Sequence, residues 1–210
     1  LCVFSNDINV THDQCGYIDV ADGKTKIAYI IIKSKSNTPK SDPVVFIQGG
    51  PGGAVLQLVN NYASLNLDPD RDFILYDQRG IGFSGNICPN ISQEFVKVMA
   101  LDIDSKDEFI EINKRLTPCK TLLTEPSTKI KYNTTENAKD IEALRKALGY
   151  KQLNLFGGSY GTRLGLKYME LFPEQVRTAT LSSLFPPEIR MYESFTSNFN
   201  RSLNKVFNAC

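Results

Sequence analysis

Histidine is nearly absent from this chain: His12 stands alone among 210 residues. Within these residues His12 is the one imidazole on offer as a base. Charge of one sign is not in excess, with 24 Lys plus Arg against 23 Asp plus Glu. Neither sign forms a long run, so nothing favours nucleic acid or a membrane surface as a partner. Long apolar runs are missing too. The densest, "IAYIII" at 27–32, is strand-sized and far short of the roughly 18 residues of a membrane span. A starting Met and a basic-then-apolar leader are absent, so a targeting peptide is expected to have been removed or left out.

Cysteine is sparse and scattered: Cys2, Cys15, Cys88, Cys119 and Cys210 show no CxxC spacing and have no histidine cluster near them. That pattern speaks against zinc and favours disulfides of an exported protein, periplasmic or secreted, over ordinary reduced thiols. Cys2 with Cys15 and Cys88 with Cys119 are the local pairs it predicts. Cys210 is left over, with a partner expected beyond the chain's end.

What is present reads as one compact α/β unit. "GYIDV" (16–20), "KIAYIIIK" (26–33), "PVVFI" (43–47), "RDFILY" (71–76), "QLNLF" (152–156) and "QVRTATLSS" (175–183) have the β-branched and apolar composition of strands. Helical spacing is expected from about Ala54 to Leu65. It recurs from about 91 to 125, with a break near Asp104, as an outer covering carrying Phe95, Val98, Met99, Phe109, Ile112 and Leu116. The strongest helical pattern, "TTENAKDIEALRKALGY" at 134–150, predicts Thr134 or Thr135 as its cap and Gly149 as its stop. "GTRLGLKYMELFP" (161–173) is a helix ended by Pro173. A last helix carries Ile189, Tyr192, Phe195, Phe199, Leu203 and Val206 as a single apolar stripe. Alternating strands and helices predict a mostly parallel sheet with helices on both faces.

Gly157-Gly158-Ser159-Tyr160-Gly161 fits G-x-S-x-G between a strand and a helix, the setting in which a serine is held on a strained turn as a nucleophile. Gly157 and Gly161 supply the small flanks such a turn demands. A second cluster, "QGGPGG" at 48–53, ends an earlier strand, where a loop brings a backbone N–H towards a developing oxyanion. Gly50 and the amide of Tyr160 are the predicted oxyanion donors. "YDQRGIGFSG" at 76–85 ends a third strand, and Asp77 and Arg79 are assigned there to pinning loops beside the site. No cofactor or metal is implied.

These strings together resemble the prolyl iminopeptidase and tripeptidyl-aminopeptidase family of α/β-hydrolase serine peptidases, over about residues 25–210. The resemblance implies that Ser159 forms an acyl-enzyme with a peptide substrate and that Gly50 helps to form the oxyanion hole. It also implies a helical cap, inserted after the sixth strand, that binds the substrate's free amino end. Residues 1–187 would be the amino-terminal part of the hydrolase core and 188–210 the start of that cap. Gln48 stands where prolyl iminopeptidases have histidine, which tilts the comparison towards the tripeptidyl branch.

The family's acid and histidine follow the cap, in the order Ser, Asp or Glu, His, which argues against Asp77 as the acid. His12 precedes the first strand and is a poor base for Ser159. The chain is therefore expected to be the amino-terminal portion of such an enzyme, inactive alone. A relative that only binds, an unrelated base such as lysine, and an esterase or lipase on the same fold are the alternatives.

Overall fold

The computed structural model describes residues 14–65, 68–124 and 132–209. His12, Cys2 and Cys210 lie outside them. Six strands are found: β1 (Gln14–Asp19), β2 (Lys26–Ile32), β3 (Lys40–Ile47), β4 (Arg71–Tyr76), β5 (Leu153–Gly158) and β6 (Val176–Ser182). They form one sheet in the order β1-β2-β4-β3-β5-β6. β4, β3, β5 and β6 run parallel, and β2 and β1 continue the β4 side antiparallel. The β1–β2 connection is short because Asp22 folds it back. Its carboxylate accepts from the amides of Lys24 and Thr25 at 2.9 and 2.7 Å, an Asx-type turn.

Both faces of the sheet are covered over its inner strands, which explains the near-continuous apolar composition of those strands. On one face Ile47, Ile74, Leu155 and Tyr76 pack against Ile141 and Leu144 of α4 (Thr134–Ala147) and Leu164 and Tyr168 of α5 (Tyr160–Leu171). On the other, Ala28, Ile30, Phe46, Phe73 and Leu75 pack under Val55, Leu56 and Val59, the last opening α1 (Val59–Leu65). α2 (Ile91–Met99) and α3 (Ser105–Thr124) break from one another at 100–104 and pack together as a pair. Cys88 and Cys119 join that pair in a disulfide. Of its expected apolar face Val98 is buried, whereas Met99 and Phe109 face solvent. Cys15 is disulfide-bonded, and its expected partner Cys2 is outside the described residues.

Two helix starts differ from expectation. The cap of α4 is Asn133, in an extended backbone, whose side chain accepts from the Glu136 amide at 2.9 Å. Thr134 begins the helix, and its hydroxyl instead lies 3.0 Å from the Tyr160 hydroxyl. Helix does not begin at Ala54 either. The amides of Val55 and Leu56 are taken by Asp77, a 3-10 turn covers Leu56–Leu58, and regular helix starts only at Val59.

β6 is an edge strand with most of its residues exposed. After it, α6 (Met191–Ala209) leaves Phe195, Phe199, Val206 and Phe207 more than half exposed. Among the described residues no helix is long and apolar enough to cross a membrane.

Candidate active site

Three loops leave the carboxyl ends of neighbouring parallel strands and meet around Ser159. β5 delivers Ser159 at φ 53°, ψ −124°, a conformation costing of order 1–3 kcal/mol for a residue with a Cβ. α5 starts at the next residue. A serine in this place ordinarily turns its hydroxyl onto the first helical amides, but Ser159 makes no side-chain cap and is exposed. Its Oγ is left facing solvent at the positive end of a helix, where the amide of Tyr160 has no intrahelical acceptor.

The turn is possible because α5 and β3 come into backbone contact. A Cβ on Gly161 would overlap the Ile47 carbonyl oxygen, and one on Gly157 would sit 2.8 Å from the Gly161 oxygen. The loop after β3 then lies directly on the serine: a Cβ on Gly49 would be 2.9 Å from the Gly158 oxygen and 3.0 Å from Ser159 Cβ. Gly50 follows at φ 118°. A depression of about 480 Å³ opens here, lined by Gln48, Gly49, Gly50 and Gly53 from one loop and Gly158, Ser159, Ser182 and Ser183 from the others.

Asp77 stands behind this lining and does not belong to it. It is fully buried, and one carboxylate oxygen accepts from the amides of Val55 and Leu56 at 2.7 and 3.1 Å while the other accepts from Phe83 at 2.9 Å. It thus ties the loop after β3 to the loop after β4. Gln78 Nε2 adds a second tie by donating to the Gln48 carbonyl at 2.8 Å. Arg79 turns away, towards Asp140 of α4 and Asp22 of the β1–β2 turn. Burial acts to lower its pKa, and the hydrogen bonds and charge of Asp140 outweigh it, so Arg79 is held charged.

The depression therefore joins Ser159, Gly50 and the helix start that carries the Tyr160 amide. Among the described residues there is no histidine, His12 lying outside them. Gly49, Ser182 and Ser183 were not anticipated. Adjacent glycines marked the Gly49 region, whereas two serines ending a strand carry no chemical signature.

The description of the α/β-hydrolase fold, as a family model, matches residues 42–210. The chain belongs to the α/β-hydrolase fold family. It is 31% identical over 191 residues to the tripeptidyl aminopeptidase of Streptomyces lividans, a match covering 83% of this chain and 36% of that protein. It is 30% identical to the proline iminopeptidase of Xylella fastidiosa, across 70% of this chain and 34% of the relative. An α/β-hydrolase fold protein from Chitinophaga pinensis superposes with a TM-score of 0.55 at 17% identity, covering 93% of this chain and 52% of that one. The chain thus spans about a third of the length of these curated relatives. Within the α/β-hydrolase fold, the described sheet supplies the strands β1–β6 and the turn that bears Ser159.

Proposed function

We propose that this chain is the nucleophile-bearing part of a serine peptidase, an aminopeptidase that releases short peptides or amino acids from free peptide amino termini through an acyl-enzyme. The observation that carries the reading is the state of Ser159: φ 53°, exposed, uncapped, and packed against the Gly49 backbone. In this reading Ser159 Oγ attacks the scissile carbonyl while the amides of Gly50 and Tyr160 receive the developing oxyanion. Water then releases the acyl group. The names of the relatives, tripeptidyl aminopeptidase and proline iminopeptidase, favour a peptide over an ester as substrate.

A serine hydroxyl needs a base, and removing that base costs several orders of magnitude in rate. We assign the triad acid and histidine to polypeptide beyond residue 210, in keeping with the third of the relatives' length that the chain spans. The 210 residues alone are then inactive. The Cys88–Cys119 disulfide supports an oxidising, exported setting.

The test uses the complete protein. A fluorophosphonate probe is expected to label Ser159 and to fail on Ser159→Ala, and tripeptidyl or aminoacyl anilides are expected to be cleaved faster than short acyl esters. A preference for esters would make it an esterase. Absence of labelling on the folded protein would leave only a binding role.

A further inference from the structure

Both sides of Ser159 are tied to the same downstream segment. Its amide donates to the Ser182 carbonyl at 3.1 Å. Its carbonyl accepts the Thr162 hydroxyl at 2.6 Å, and that hydroxyl in turn accepts the amide of Phe185 at 2.8 Å. Thr162 is fully buried, while the Ser159 and Phe185 ends of the two bonds are exposed and half-buried. Residues 182–185 thus reach Ser159 from two directions, once directly and once through a single hydroxyl.

A threonine in the first turn of a helix commonly bonds back to the carbonyl three residues earlier. Here the Thr162 amide already does so, at 2.9 Å to the Ser159 oxygen, and helix formation does not require the hydroxyl bond. The distinctive feature is the second half of the relay, to Phe185. Ser183, at φ 57°, turns the chain as it leaves β6, and with Ser159 it is one of two non-glycine positive-φ residues among those described. Arg163 holds the same segment further out, donating to the carbonyl of Pro187 at 3.0 Å and lying 4.9 Å over the Phe185 ring.

We propose that Thr162 is a positioning residue for Ser159, its hydroxyl coupling the Ser159 carbonyl to the Phe185 amide so that the strap 182–185 fixes the direction of the Ser159 side chain. The assignment rests on Ser159 being the nucleophile. The Ser182 bond holds the peptide plane before the Ser159 Cα, and the Thr162 amide and hydroxyl together hold the plane after it. The hydroxyl adds what the amide cannot, a tie of that plane to Phe185, and with it a firmer direction for the Cα–Cβ bond. A side chain that attacks must be held to within a fraction of an ångström, since a displacement of about 1 Å costs roughly a hundredfold in rate.

The deciding experiment measures the rate constant for fluorophosphonate labelling of Ser159 in the complete protein, with kcat, KM and the thermal midpoint. The variants are Thr162→Val, which keeps the shape and loses the hydroxyl, and Thr162→Ser, which keeps the hydroxyl and loses a methyl. Thr162→Val is expected to slow labelling at least about tenfold and to lower kcat with KM little changed. Thr162→Ser is expected to stay within about threefold of the wild type, the rescue that a purely packing role would not give. Labelling of a cooperatively melting Thr162→Val at the wild-type rate overturns the assignment. So does a Thr162→Ser variant slowed tenfold, and this arm decides where Thr162→Val does not melt cooperatively. A wild type that is not labelled at Ser159 removes the nucleophile itself and this assignment with it. A labelled wild type with an indifferent Thr162→Val removes the assignment alone.

Discussion

Arg79 grips Asp140 at two points, Nε to Oδ2 at 2.7 Å and Nη2 to Oδ1 at 2.6 Å, with side chains 3% and 1% exposed. The pair fastens the loop after β4 to α4, the helix whose first residue touches Tyr160. Removing Asp140 takes the two short bonds from the buried Arg79 and leaves it the longer contact to Asp22 at 3.4 Å, so Asp140→Ala is expected to cost up to about 3–5 kcal/mol in urea unfolding. Replacing both residues with apolar ones of similar volume should recover part of that loss. Equal stability of wild type and Asp140→Ala would show that the pair contributes nothing.

Asp77→Ala removes the acceptor of three amides, those of Val55, Leu56 and Phe83. Unpaired buried amides cost about 1–3 kcal/mol each. With the Val55 and Leu56 amides buried and that of Phe83 partly exposed, the variant should lose at least about 2 kcal/mol, and in the complete protein it should also slow labelling of Ser159, because the loop bearing Gly49 and Gly50 loses its anchor. Slowed labelling at unchanged stability would point to Asp77 acting in the chemistry instead.

Gly49→Ala tests the contact between loop and nucleophile. The new methyl would meet backbone at 2.9 Å and Ser159 Cβ at 3.0 Å, so loop and turn must separate. Labelling of Ser159 is expected to fall by more than about tenfold while the far-ultraviolet circular dichroism is preserved.

Acid stability has an identifiable contributor in Asp72. Burial would raise its pKa, but the Ser34 amide, Lys33 and the Tyr150 hydroxyl outweigh that, so it titrates below its ordinary value of 3.8. Its contribution is therefore complete above the unfolded value and is lost as pH falls through the lower, folded one. The stability gap between wild type and Asp72→Asn should be constant from pH 7 to about 5 and narrow below 3.8. A gap that widens in acid would reverse the sign.

The Cys88–Cys119 disulfide closes a loop over a separation of 31 residues, for which chain-entropy reasoning gives about 3–4 kcal/mol. The Cys88→Ala, Cys119→Ala double variant should lose an amount of this order. Hydrogen exchange should quicken first in α2 and α3, which pack chiefly on each other. Uniformly faster exchange across the sheet would place the bond's effect elsewhere.

Much of this architecture was legible because it is local. Apolar runs such as "PVVFI" and "NLF" are strands wherever both faces of a sheet are covered, and the glycines around Ser159 mark a strand-to-helix turn directly. What was illegible depends on distant partners. Asn133 caps α4 in place of Thr134 because the Thr134 hydroxyl is engaged by Tyr160, 26 residues away. The delayed start of α1 follows from Asp77, which takes the amides of Val55 and Leu56. Thr162 and Phe185 are separated by a whole strand, and no periodicity joins them.

The strand order has a consequence for the nascent chain. β3 lies between β4 and β5, and its Val44 pairs with Asn154, so 154 − 44 = 110 residues separate the partners. At about 5–20 residues per second, the β5 side of β3 stays open for roughly 5–20 s of synthesis. Throughout that interval Val45, Phe46 and Ile47 are exposed on an unpaired apolar edge. A codon-level pause between residues 80 and 150 would lengthen that exposure before the last side of β3 is sealed.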